Sequence, residues 1–214
     1  MDWSADGWRS AFRIELRVQA IGLASRGWPV LTGTFPSEDG WSDGEKSAVD
    51  GPAPINHDVR DSLNTAPEQV ASWWNGTPYS LLLATGSSVE ALEVSASTGY
   101  QAATALRTTG TPVPIVATPH GRWYFLTAPG RPLHPDLADS GLVREHGEGS
   151  WVPMPPTIFH HGVVHWRVKP EICGWRLPDS LVVQDALRTS GCLDSTGSAT
   201  GESDEVAELA AVRG

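Results

Sequence analysis

VPIVATPHGRWYFLT, residues 113–127, decides how this chain is read. Val113, Ile115 and Ala117 alternate with smaller or imino residues, which predicts a strand. Thr118-Pro119-His120-Gly121 predicts a tight turn, because Pro119 fixes φ and Gly121 tolerates turn geometry. Trp123-Tyr124-Phe125-Leu126 then resumes a β-rich run. The hairpin presents His120 at the rim of a sheet on a stiff support. A histidine there can offer a hydrogen bond or a positive charge to an anion near neutral pH. The competing reading is a turn histidine that only faces solvent.

On either side of the hairpin, strands and helices alternate, so the fold class is α/β. Upstream, Trp8, Ala11, Ile14, Val18 and Ile21 recur at helical spacing, with Asp6 as a cap and Gly27 as a stop. Trp28 to Leu31 reads as a short strand. Residues 33–63 are rich in Gly, Ser, Asp and Pro and read as a long loop. Thr65-Ala66-Pro67-Glu68 reads as a capping box for a helix ending in Trp73-Trp74. Residues 79–84 form a buried strand closed by Thr85-Gly86. Residues 91–96 form another, with Leu92 and Val94 on one face and Glu93 and Ser95 on the other. Thr98-x-x-Gln101 then caps a helix. Downstream of the hairpin, residues 129–141 form a Pro/Gly-rich passage. Strands follow at 142–146 and 163–168, with an extended WVPMPPT (151–157) between them, and a helix at 178–189.

Composition sets outer limits. The chain has 214 residues, and 40% are hydrophobic, enough for one core of ordinary size. Ten Trp stand against four Phe, so indole rings fill much of that core or a surface groove. No apolar run is long enough to span a bilayer. Cys173 and Cys192 are far apart and form no CxxC, which points to a reducing cytoplasm rather than a metal knuckle. The net charge is −10. Residues 191–214 carry −4 of it, with Asp194, Glu202, Asp204, Glu205 and Glu208 against Arg213, and are Ser/Thr/Gly-rich. They are expected to be a disordered acidic tail, with a weak helix at most over 205–212, beyond a domain spanning 1–190. An acidic domain is a poor general binder of nucleic acid, since affinity for phosphates comes mainly from Lys and Arg.

Six segments in order resemble the N-terminal domain of bifunctional DNA primase/polymerases (Prim-Pol), in the archaeo-eukaryotic primase superfamily. They are SRGWPVL (25–31), PEQVASWW (67–74), TPYSLLLATG (77–86), TPHGRWYF (118–125), GEGSWVPMPPT (147–157) and HHGVVHW (160–166). The resemblance runs from about Gly22 to Trp175. It implies an RRM-like sheet carrying the catalytic motifs and a smaller N-terminal αβ unit. It also implies DNA replication chemistry with Mg²⁺ or Mn²⁺. In that family the first motif is a strand with two acids one residue apart that hold the metals. Here ALEVSAS offers Glu93, Ser95 and Ser97. A hydroxyl brings no charge to a hard cation. The second motif is kept as Thr118-x-His120, whose histidine contacts nucleotide phosphates in the family, with Arg122 beside it. The third motif's acid falls near Arg144 and Glu145, and a cationic Arg144 opposes metal binding.

The expected function is therefore a primase/polymerase-like domain without metal-dependent nucleotidyl transfer. It would keep nucleotide or nucleic-acid-end binding through Thr118, His120 and Arg122. One alternative is a regulatory module on the same scaffold, meeting a protein partner. The other is an active primase/polymerase with metal held by Glu93 and Glu145, or by Glu148 after a register slip. His160, His161 and His165 cluster in sequence, but strand spacing separates them more than a zinc site allows. Trp73-Trp74 reads as core packing more than as a base-stacking pair.

Overall fold

The computed structural model describes residues 3–37, 40–44, 51–55 and 66–190, with side chains from Phe12 onward. Thr65 and the tail from 191 lie outside these residues, so their predicted cap and disorder are not described. Helix α1 (Trp3–Ala24) begins before Asp6. It stops where Gly27, at φ +77°, lets the Trp28 N–H turn back to the Leu23 carbonyl. Strand β1 (Val30–Gly33) follows. The stretch read as a long loop contains a hairpin, β2 (Phe35–Ser37) and β3 (Gly40–Ser42), pinned by Trp41 against the Phe159 ring. Helix α2 (Pro67–Trp73) has Ala66 at its N-cap with no side-chain cap bond, so Pro67 at the first turn is its start signal.

Strand β4 (Ser80–Ala84) is followed by β5 (Glu90–Ser95), which runs directly into helix α3 (Ala96–Thr108). The predicted cap was Thr98. The cap is Ser95, whose hydroxyl accepts from the Thr98 N–H, while the Ala96 N–H is already satisfied by the Gly121 carbonyl. The quoted hairpin forms as read, with β6 (Ile115–Ala117) and β7 (Arg122–Thr127). The Pro/Gly-rich passage hides helix α4 (Pro135–Ser140). It starts at Pro135, is capped by the His134 ring and ends on left-handed Gly141. Strands β8 (Arg144–His146), β9 (Trp151–Pro153), β10 (Ile158–Phe159), β11 (Gly162–Val163) and β12 (His165–Val168) follow. Helix α5 (Ser180–Thr189), capped by Asp179, comes last.

The main sheet has the order β12-β6-β7-β5-β8, and every neighbouring pair is antiparallel. Strand β7 is inserted between β5 and β6, which α3 connects, so the unit is a split βαβ. A second sheet, β1-β4-β9, carries the N-terminal part of the chain. Side chains of β7 alternate between two cores. Tyr124 and Leu126 join Leu16, Leu23, Trp74, Leu81 and Met154 on the α1 side. Trp123 and Phe125 join Leu92, Val94, Leu106, Val183 and Leu187 under α3 and α5. Trp28, Trp41, Trp74 and Trp123 are all buried, as the Trp-rich composition implied. Among the described residues, no helix is long and apolar enough to cross a membrane.

Candidate functional site

Strand register builds the site. On β5, Glu93 sits opposite Tyr124 of β7 and Arg144 of β8, while Ser95 sits opposite Arg122 and Ala91 opposite His146. Paired residues share a face. Glu93, Ser95, Arg122, Tyr124, Arg144 and His146 therefore share one face of the main sheet. Glu145 pairs with Leu92 and belongs to the other face. The period of two thus separates Glu145 from Glu93, and the pair named as a metal clamp is not brought together.

The Glu93 carboxylate is fully engaged. Its Oε1 accepts from Arg122 Nε at 2.6 Å, and its Oε2 lies 2.6 Å from His146 Nε2. His146 Nδ1 is in turn 2.9 Å from the Ser150 hydroxyl. The Glu93 and His146 side chains are buried, while Arg122 keeps 40% of its side-chain surface in solvent. Burial pushes the Glu93 carboxyl up, but hydrogen bonds and charge from His146 and Arg122 outweigh it and hold the group below its ordinary value. Burial, and then the Glu93 charge, push the neighbouring Tyr124 phenol up.

Ser95 and Ser97 are tied into the start of α3. Their hydroxyls are 2.8 Å apart, and the Ser95 hydroxyl also donates to Thr98 Oγ1. Thr118 is a turn residue: its hydroxyl bonds the Arg122 carbonyl and accepts from the Arg122 N–H. His120 stands exposed at the rim, its ring 4.9 Å from that of Phe159 and 6.5 Å from that of His161. Phe159 belongs to the core on the Glu93 side, so His120 leans toward the same face. A Cβ on Gly162 would lie 2.9 Å from Pro119, so β11 braces this turn from behind. His160 donates to the Ser37 carbonyl, and His165 is exposed on β12. Among the described residues, no three His, Cys, Asp or Glu side chains gather closely enough to hold a metal ion. Trp74 is core, its indole N–H bonded to the Tyr79 carbonyl.

A family model for the N-terminal domain of bifunctional DNA primase/polymerases matches residues 20–181. The chain belongs to this family. Comparisons with curated proteins and with solved structures return no match. Within the Prim-Pol domain, one site residue and one site contact escape sequence reading. His146 was passed over for Arg144 and Glu145, although alternation along Arg144-Glu145-His146 puts the outer two on one face. The Arg122–Glu93 contact runs diagonally across two strands, and only a known register reveals it.

The loop after β8 is clamped to the second sheet. The Thr85 N–H donates to the Ser150 carbonyl, and the Thr85 hydroxyl donates to the Gly147 carbonyl at 2.7 Å. Gly86, at φ +101°, lies so close that a Cβ there would be 2.2 Å from Glu148 Cα. This contact and these bonds hold the segment that aims His146 and Ser150.

Proposed function

We propose that this Prim-Pol domain binds the phosphates of a nucleotide or nucleic-acid end without performing metal-dependent nucleotidyl transfer. One observation carries the reading: each oxygen of the Glu93 carboxylate is already held by a basic side chain at 2.6 Å. A hard divalent cation needs carboxylate oxygens free to face it. Here Ser95 caps a helix, Arg144 is the cross-strand neighbour of Glu93, and Glu145 is on the far face. This donor set does not fit Mg²⁺ or Mn²⁺. The same face offers basic, hydrogen-bond-donating groups instead. Arg122 is partly exposed, Arg144 shares its side of the sheet, and His120 stands at the rim above Phe159. Such a cluster suits a phosphate group. The split βαβ order supports the RRM-like description of the sheet.

Calorimetry on the purified chain tests this. A nucleoside triphosphate should bind in EDTA as well as in Mg²⁺ or Mn²⁺, and His120→Ala should weaken it about tenfold, the equivalent of one charge-assisted contact. His120 packs on one ring at the rim, so the substitution leaves the core intact. Primer extension should stay at background. Extension by the unmodified protein that Glu93→Ala abolishes would overturn the reading and restore the active enzyme.

A further inference from the structure

On the face of the main sheet opposite Glu93, a groove of about 490 Å³ opens between α3, strands β6 and β12 and the turn at Pro170–Cys173. Its floor is apolar, with Ile115 and Trp123 below and Ala103 on the helix flank. Two large apolar side chains at its mouth, Tyr100 and Ile172, are 63% and 68% exposed. Arg107 and Arg167 are its charged residues, and no acid lines it, although the chain as a whole carries −10. The Arg167 guanidinium lies 4.9 Å above the Trp123 ring, which holds its charge over the groove.

We propose that this groove receives residues 202–212 of the same chain, ESDEVAELAAV. The sequence of that segment complements the groove in three ways. Written on a helix, Val206, Leu209 and Ala210 fall on one stripe at i, i+3 and i+4, the pattern of a helix laid into an apolar groove. Glu202, one turn before Val206, and Glu205, one turn before Leu209, border the stripe and would meet Arg107 and Arg167. Eleven helical residues span roughly 16 Å, and α3 from Tyr100 to Thr108 flanks the groove over about 14 Å at 1.5 Å per residue.

Position favours an intrachain arrangement. Helix α3 starts beside Gly121, at one end of β7, and α5 starts beside Ala128, at the other end. The two helices pack side by side. Ser190 therefore follows a helix that runs back toward the start of α3. The eleven residues from 191 to 201 reach up to roughly 35 Å, several times the diameter of the helix to be crossed. The composition of the segment supports little structure by itself, so docking would order it.

Hydrogen exchange on the full chain tests the proposal. Val206→Asp with Leu209→Asp should speed exchange of the amides of residues 100–110 and 165–168 about tenfold. These substitutions leave every described core residue in place. Arg107→Glu with Arg167→Glu should have the same effect, and adding Glu202→Arg with Glu205→Arg should restore protection. Equal exchange in all variants would overturn the proposal. So would protection that rises with protein concentration, since the occupant would then come from a second copy.

Discussion

Glu93→Ala is expected to lower the unfolding free energy by about 3 kcal/mol, the usual cost of removing one partner from a buried ion pair. At roughly 3 °C per kcal/mol for a chain of this size, the melting temperature should fall by about 9 °C. The loss has a specific origin. His146 is buried and would lose its 2.6 Å carboxylate partner, while Arg122 can turn to water. Glu93→Gln should cost less, because an acceptor remains, and it should change the acid limb of the stability curve. The folded-state pKa of Glu93 is lowered from 4.5. Its contribution is therefore complete above that value and is lost as pH falls through the lower, folded-state one. Below about pH 4.5, the natural protein should lose stability more steeply than Glu93→Gln. Thermal melts from pH 7 to pH 3 read the difference. Parallel curves would mean that the pair adds no net stability.

Gly86→Ala should be the more damaging change, at about 4 kcal/mol or a failure to fold. Two costs add. An L-residue at φ +101° is strained by about 1–3 kcal/mol. The new methyl would meet backbone, Glu148 Cα at 2.2 Å and Glu148 N at 2.4 Å, and backbone cannot rotate away as a side chain can. The control is Gly149→Ala in the loop that Gly86 approaches, where φ is +76° and nothing lies within 4 Å of the added atom. It should cost only about 1 kcal/mol. Chemical denaturation of both variants separates strain from collision, and equal losses would show that the close approach at Gly86 has no energetic weight.

Much of this fold was legible because its signals are local. The hairpin at 113–127 carried alternation, proline and glycine in the right places, and six ordered segments pointed to the family whose model spans 20–181. Local signals also explain the misreadings. Helix α4 has a proline start and a glycine stop, but its surroundings share that composition. Ser95, at a position of the family's first motif, also has a structural task as the cap of α3, and the sequence reading placed that cap at Thr98. The site was less legible than the fold because it depends on register. Glu93 meets Arg122 across 29 positions and His146 across 53, and neither spacing appears in any local pattern.

The second sheet has a consequence for the order of assembly. Ala84 pairs with Trp151, so β4 and β9 can join only after the intervening chain has been brought back on itself. For an unstructured loop of about 66 residues, closure costs roughly 4 kcal/mol in entropy. That intervening chain contains β5 to β8 and α3. Once those elements have condensed, Thr85 and Ser150 are already held near one another, and most of the cost has been met. The smaller sheet then forms late and the split βαβ unit early. Kinetically, truncating Phe125 should slow folding, whereas truncating Leu83 should mainly hasten unfolding. The opposite assignment would place the nucleus in β1-β4-β9.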